Sequence, residues 1–321
     1  MYQNIRCTAQ QLTSLIISFL LLNNSRAQTD MDAIMMNKNQ FCNGPIYTHG
    51  SWDHYWEGTF NRTNQNLGTV TTESLMYMAN YGITSKLNIM AGAPYVWTYA
   101  SAGTLHGSHG IQDLSLFIKW KPISLSFGDN KISAFLIEGF STPLTNYQVD
   151  YLPLTIGLGT TNIFSRAMID FQHRRFTITA SAAYVWRSNV KIDRSAYYDT
   201  QMNLTNEVRM PDAMQYQLRT GWRGKYLLAE VLLSNWTTLG GFDITKNNMP
   251  FPSNRMNYTN VGASIKYTLK QYTHLSLLGG TNFTVAGRNE GQISAFDVGV
   301  FYAFYFKKPS QTNKSIINKT H

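Results

Sequence analysis

ISAFDVGVFYAFYFKK runs from Ile293 to Lys308. Taken two at a time, Phe296, Val298, Val300, Tyr302, Phe304 and Phe306 form one set. Ala295, Asp297, Gly299, Phe301, Ala303 and Tyr305 form the other. The first set is bulky and apolar throughout; the second is smaller and carries an acid. Successive side chains of a β-strand point to opposite faces, so a period of two predicts a strand with one greasy face. The chain around it is not greasy: its mean hydropathy is −0.24. Nor is it highly charged, at 14 % Asp, Glu, Lys and Arg against roughly 25 % in soluble domains. Asn, Thr, Ser, Gln, Tyr and Gly supply the polarity. That balance suits a barrel that is wet inside and apolar outside.

The same alternation recurs along the chain. Leu114, Leu116, Ile118 and Trp120 oppose Asp113, Ser115, Phe117 and Lys119; Met214, Tyr216, Leu218 and Trp222 oppose Gln215, Gln217, Arg219 and Gly221. About twelve such segments lie near 51–62, 69–80, 87–97, 111–121, 131–141, 155–169, 175–187, 213–222, 225–236, 256–269, 273–285 and 295–306. Most approach the roughly 9–11 residues that a tilted strand needs to cross a bilayer. The sixth loses its alternation between Thr160 and Phe164. Short connections alternate with long ones, of which 188–212 is the longest. This asymmetry predicts one closed antiparallel transmembrane β-barrel of about twelve strands, with short periplasmic turns and long extracellular loops. Trp52, Trp97, Trp120, Trp186, Trp222 and Trp236 fall near predicted strand ends, where an aromatic girdle meets the headgroups.

The termini complete the organisation. Residues 1–27 read as a secretory signal peptide: Arg6, an apolar run from Leu12 to Leu22, and small Ser25 and Ala27 before the cut. Residues 28–50 read as a periplasmic segment, 51–306 as the barrel and 307–321 as a basic polar tail that holds part of the net charge of +9. With Cys7 removed, Cys42 stands alone, so no internal disulfide frames the fold. A basic tail on an exported chain gives no ground for nucleic-acid binding.

Several quoted stretches, SWDHYWEG (51–58), YGITSKLNIMAGAPYVWT (81–98), GIQDLSLFIKW (110–120), TLGGFDITKNNMPFPSNR (238–255) and FTVAGRN (283–289), resemble Bacteroidetes outer-membrane barrels of the transporter type. Those are similar to the outer-membrane proteins of the phenol-degradation meta-pathway. The resemblance covers nearly all of the mature chain. It implies a barrel and uptake of a small molecule, and it carries no assigned site residues.

The chemistry-bearing residues point the same way. Asp53, Glu57, Glu73, Asp113, Lys119, Arg187, Arg219, Glu230, Lys266 and Asp297 have inward parity and are the expected lumen-lining set. Mixed signs could line a channel or lock together into a seal. A tight turn at Arg223-Gly224 would set Arg219 opposite Leu228, with Glu230 within diagonal reach inside the lumen. HGSHG (106–110) offers two histidines but no third ligand, so no metal and no cofactor are expected. His54 shares the outward parity of Trp52 and Trp56, with no serine placed beside it, so no catalytic residue is assigned. The expected function is a passive channel or transporter for a small, partly apolar solute. The alternatives are a structural or adhesive barrel with a closed lumen and, third, a membrane-embedded lipid hydrolase. The expected partners are outer-membrane lipid, an unidentified small solute and the barrel-insertion machinery.

Overall fold

The computed structural model describes residues 29–244 and 249–306; the expected signal peptide and basic tail lie outside them. Twelve long strands form one antiparallel meander: β1 (Gln40–Trp52), β2 (Val70–Gly82), β3 (Leu87–Ala100), β4 (Asp113–Phe127), β5 (Asn130–Pro143), β6 (Asn162–His173), β7 (Phe176–Arg187), β8 (Ala213–Arg223), β9 (Leu227–Thr238), β10 (Asn257–Thr268), β11 (Leu275–Arg288) and β12 (Ser294–Tyr305). Each pairs with its chain neighbours, and β12 pairs back onto β1 from Gln40↔Tyr305 to Ser51↔Ser294. Closure leaves no sheet edge, as a hydrocarbon surrounding demands of strands that cross it. Connections 83–86, 128–129, 174–175, 224–226 and 269–274 are short and lie at one end; 53–69, 101–112, 144–161, 188–212 and 239–256 are longer and lie at the other.

The opening stretch behaves as its period requires. Phe296, Val298, Val300 and Tyr302 are exposed on the outer wall, while Phe301 and Ala303 are buried inside. Leu116, Ile118, Ile169, Val231 and Ile265 continue the exposed apolar belt around the barrel. Trp97, Trp120, Trp186 and Trp222 are exposed on that wall. Trp52 and Trp236 do not join them. Both have inward parity: Trp52 lies against Gly291, and Trp236 stacks on Tyr258 with ring planes 7° apart.

The largest departures from expectation are two strand starts and a register. The first strand is Gln40–Trp52, not 51–62. Its Gly44, Pro45 and Gly50 read as breakers because proline cannot donate to a ladder. Here the pairing to β12 passes from Asn43↔Tyr302 to Ile46↔Gly299 and skips Gly44 and Pro45, so the missing donor is tolerated. The aromatic stretch after it instead folds into a small hairpin, His54–Glu57 against Phe60–Thr63, over the long-loop end. The sixth strand begins at Asn162, and 155–161 is loop. The third difference is a register. A three-residue connection sets Arg219 opposite Leu232 rather than Leu228. Glu230 is still diagonal to Arg219 on the inner face, and the expected ion pair forms at 3.1 Å.

Candidate functional site

The lumen holds the N-terminal segment. Residues 28–50 were expected in the periplasm; residues 40–50 are strand, and residues 29–39 run inside the barrel. Asn39 turns the chain, with φ at 61° and its N–H donating to the Gly82 carbonyl. Gly82 makes room for this: a Cβ there would come within 2.0 Å of the Asn37 carbonyl oxygen. Higher up, the Lys119 ammonium, wholly buried, donates to the Thr29 carbonyl at 2.8 Å, to the Asp32 carbonyl and to the Asp32 carboxylate at 3.2 Å. Arg166 pairs with Asp30 at 3.0 Å and donates to Gln215 at 2.6 Å. After the acids come apolar anchors. Ala33 packs with Phe135, Ile137 and Met168; Met36 packs with Cys42, Ile46, Met78 and Phe301. We call this segment the plug.

Charge explains why an acidic plug belongs there. Lys119, Arg166, Arg219, Arg223 and Lys266 face the middle and lower lumen with Asp170, Glu230 and Asp297. Among the described residues Lys119 and Arg166 form ion pairs with no acid of the wall, and Asp30 and Asp32 of the plug supply their countercharges. Beside the lower part of the plug, Arg223 bridges Asp170 at 3.1 Å and Glu230 at 3.4 Å, and Thr179 donates to Asp170 at 2.7 Å. Buried charges persist only when paired in this way. Beside the plug a cavity of about 430 Å³ remains. Its wall is apolar at Met31, Ile34, Met76, Met78, Leu232 and Leu278, and polar at Arg219, Lys266 and Asp297.

Seven of the ten expected lining residues therefore face inward: Asp113, Lys119, Arg187, Arg219, Glu230, Lys266 and Asp297. At the upper end Asp113 accepts from the Tyr147 hydroxyl at 2.8 Å, and Arg187 donates to the Pro211 carbonyl at 3.3 Å. Three do not line the lumen. Asp53 and Glu57 belong to the loop hairpin, where they pair with His54 and Arg62. Glu73 faces outward, accepting from the Tyr47 hydroxyl at 2.9 Å and contacting His49 Nδ1 at 3.2 Å. The late-placed first strand caused the errors at Asp53 and Glu57; Glu73 lies in β2, near its expected bounds, but on the outer face with Leu75 and Tyr77. The late-placed strand also made His54 the outward histidine, whereas His49 holds that place and stacks on Phe296. Asp30, Asp32, Arg166, Asp170 and Arg223 escaped the sequence reading. Only TDMDAIMM (29–36), acidic and apolar in a basic chain, signalled the plug. His106 and His109 acquire no acidic partner; His109 Nδ1 lies 2.9 Å from the Tyr95 hydroxyl. Among the described residues no group of three His, Cys, Asp or Glu could hold a metal.

The long loops form a cap. Val149, Val190, Ile192, Val208 and Met210 bury one another, with Tyr147, Leu158, Tyr197 and Phe251 around them. Leu154 packs on Leu67 and Val70 as a second cluster. Asn289, at φ 54° and nearly buried, ties three connections together: its amide oxygen accepts from Gly58 N–H and Ile244 N–H, and its amide nitrogen donates to Asp243 and to the Arg255 carbonyl. Arg288 and Asn289 hold the Asp243 carboxyl down to about 2. Burial pushes the neighbouring Glu290 up to about 7.

A closed twelve-stranded barrel with an apolar outer belt, a charged lumen, an internal plug and a loop cap is a transmembrane β-barrel. The chain belongs to the family described as "Putative MetA-pathway of phenol degradation", whose profile matches residues 58–298. No curated protein matches it in sequence. Among solved structures it is similar to an outer membrane channel from Pseudomonas putida F1, at 14 % identity and TM-score 0.67, over 87 % of this chain and all of that one. A translocator domain of the autotransporter NalP from Neisseria meningitidis aligns at 10 % identity and TM-score 0.43, over 94 % and 96 % of the two chains.

Proposed function

We propose that this chain is a passive channel in the outer membrane of a Gram-negative bacterium, of Bacteroidetes type by its sequence resemblance, for a small, partly apolar solute. The cavity beside the plug carries the reading. Methionine, leucine and isoleucine cover one part of it and Arg219, Lys266 and Asp297 another, so a molecule with an apolar body and a polar end matches both. The P. putida relative of the same fold is described as an outer membrane channel, which supports the assignment. Passage requires the plug to move, because its Asp30 and Asp32 occupy the mid-lumen cations. No side chain is assigned a catalytic role. The plug and cap also favour one rival, a structural barrel with a sealed lumen.

Single-channel recording in planar bilayers separates the two. The full chain should show small, discrete steps, and a chain lacking residues 29–36 should show larger ones. Absence of conductance and of liposome swelling in both, with the barrel inserted, would leave the structural reading.

A further inference from the structure

A second cavity lies outside the barrel. Near the upper end of β7, described residues of the connections after β7 and after β9, 188–212, 239–242 and 253, border an open cleft of about 890 Å³ over the outer wall. Its floor is Ile163, Tyr184 and Trp186, whose strand parity turns them toward lipid. We propose that this cleft binds the phosphorylated sugar head of an outer-leaflet glycolipid, a reading that rests on the outer-membrane placement above.

Depth is the first argument. Tyr184 and Trp186 lie at the end of β7 next to the long loops, where girdle aromatics meet headgroups. A molecule in the cleft therefore has its head among the loops and its chains along the apolar wall below Ile163. Rigidity is the second. The two rings sit 4.6 Å apart, and the Tyr184 hydroxyl donates to Asp212 at 2.8 Å. The other Asp212 oxygen accepts the Arg187 backbone N–H at 3.0 Å, so the shelf is tied to the loop above it. A fixed aromatic shelf stacks on a sugar ring without further ordering.

Charge decides the head. Its charged lining is Asp199, Asp212 and Arg209, together with Arg187, whose side chain has the inward parity described above. Asp212 is occupied as described. Asp199 accepts from the Thr200 N–H and, at 2.9 Å, from the Gln201 N–H. Arg187 donates to the Pro211 carbonyl. Arg209 is exposed and makes no ion pair or hydrogen bond among the described residues, so it is the free charged donor of the cleft. A planar guanidinium suits phosphate. Size completes the choice, since a space this large accepts a disaccharide head, and the smaller head of a diacyl phospholipid would leave most of it unfilled.

The test uses the full chain in detergent, titrated with bis-phosphorylated lipid A and followed by native mass spectrometry. The mobility shift of a folded barrel on boiling serves as the check on folding. One lipid A per barrel is expected. Arg209→Ala should weaken it about tenfold, the size of one charge-assisted hydrogen bond, and Trp186→Ala should weaken it as well. Dephosphorylated lipid A should bind the unmodified protein about as weakly, with no further loss in Arg209→Ala. Arg174→Ala, at the opposite end, should change nothing. Equal binding by Arg209→Ala and the unmodified protein overturns the proposal, as does equal retention of phosphatidylglycerol. Failure of the unmodified chain to fold and insert in lipid would instead overturn the membrane reading itself.

Discussion

Lys119 shows how one residue can govern the lumen. It is wholly buried, and its ammonium meets three oxygens of the plug. Removing one partner of a buried pair costs on the order of 3–5 kcal/mol. Asp32→Asn removes the countercharge but leaves the two carbonyls, so the lower part of that range is expected, as loss of plug docking rather than of the barrel. Bilayer recordings should show longer open times, and protease added on the short-turn side should cut the plug sooner. Unchanged gating and unchanged cleavage would deny the pair this role. Glu290 offers a second residue-scale test. Its carboxyl rises from the ordinary 4.5 to about 7 on folding. Between those values the folded state binds more protons than the unfolded one, so stability falls as pH rises through that window and levels off above it. Glu290→Gln stays neutral and should abolish this slope. Its melting temperature should match the parent near pH 4, below both values, and exceed it at pH 8. Parallel pH profiles for the two proteins would refute the assignment.

At the scale of elements, the connection 188–212 is a packed part of the cap. Val208 is fully buried and Met210 nearly so, against Val149, Val190 and Ile192. Val208→Asp places a charge in that cluster without a partner, which costs several kcal/mol locally. Limited proteolysis between Tyr197 and Asn203 should accelerate, while the heat-dependent mobility of the barrel stays as it was. Equal cleavage rates would mean the loop core contributes nothing. Removal of 189–209 should enlarge the conductance steps for the same reason: it takes away Val190, Ile192 and Val208 together and opens the mouth. The first strand teaches the converse lesson about elements. Its glycines and proline are poor strand formers, yet pairing on both sides holds it: the ladder to β12 skips Gly44 and Pro45, while the ladder to β2 runs through them.

For the whole molecule, orientation follows from connection length. The first and last strands meet at the short-turn end: Phe306 N–H donates to the Asn39 carbonyl there. Cysteines placed at Asp199 and at Gly224 should then react differently in intact cells. An impermeant maleimide should label Asp199→Cys and spare Gly224→Cys until the cells are broken. Reversed labelling would invert the barrel.

Alternation along each strand was enough to determine that the chain closes into a barrel of about twelve strands, which face meets lipid, and that Arg219 and Glu230 share the lumen. These are local properties, since a period of two is written residue by residue and a lipid surround rewards it strand by strand. The two-sided character of Lys119, Arg187, Lys266 and Asp297 was legible for the same reason. Tertiary structure alone decided the rest. Where the first strand starts depends on partners more than 20 residues away in β2 and more than 200 away in β12, so Asp53 and Glu57 were placed wrongly from local parity, and Glu73 was assigned to the wrong face of β2. The plug has no period at all. TDMDAIMM acquires meaning only inside a wall that presents two uncompensated cations at the height of Asp30 and Asp32 and apolar hollows for Ala33 and Met36. That fit is a sum over strands β1, β2, β4, β5, β6 and β12, and it exists only once the barrel has closed.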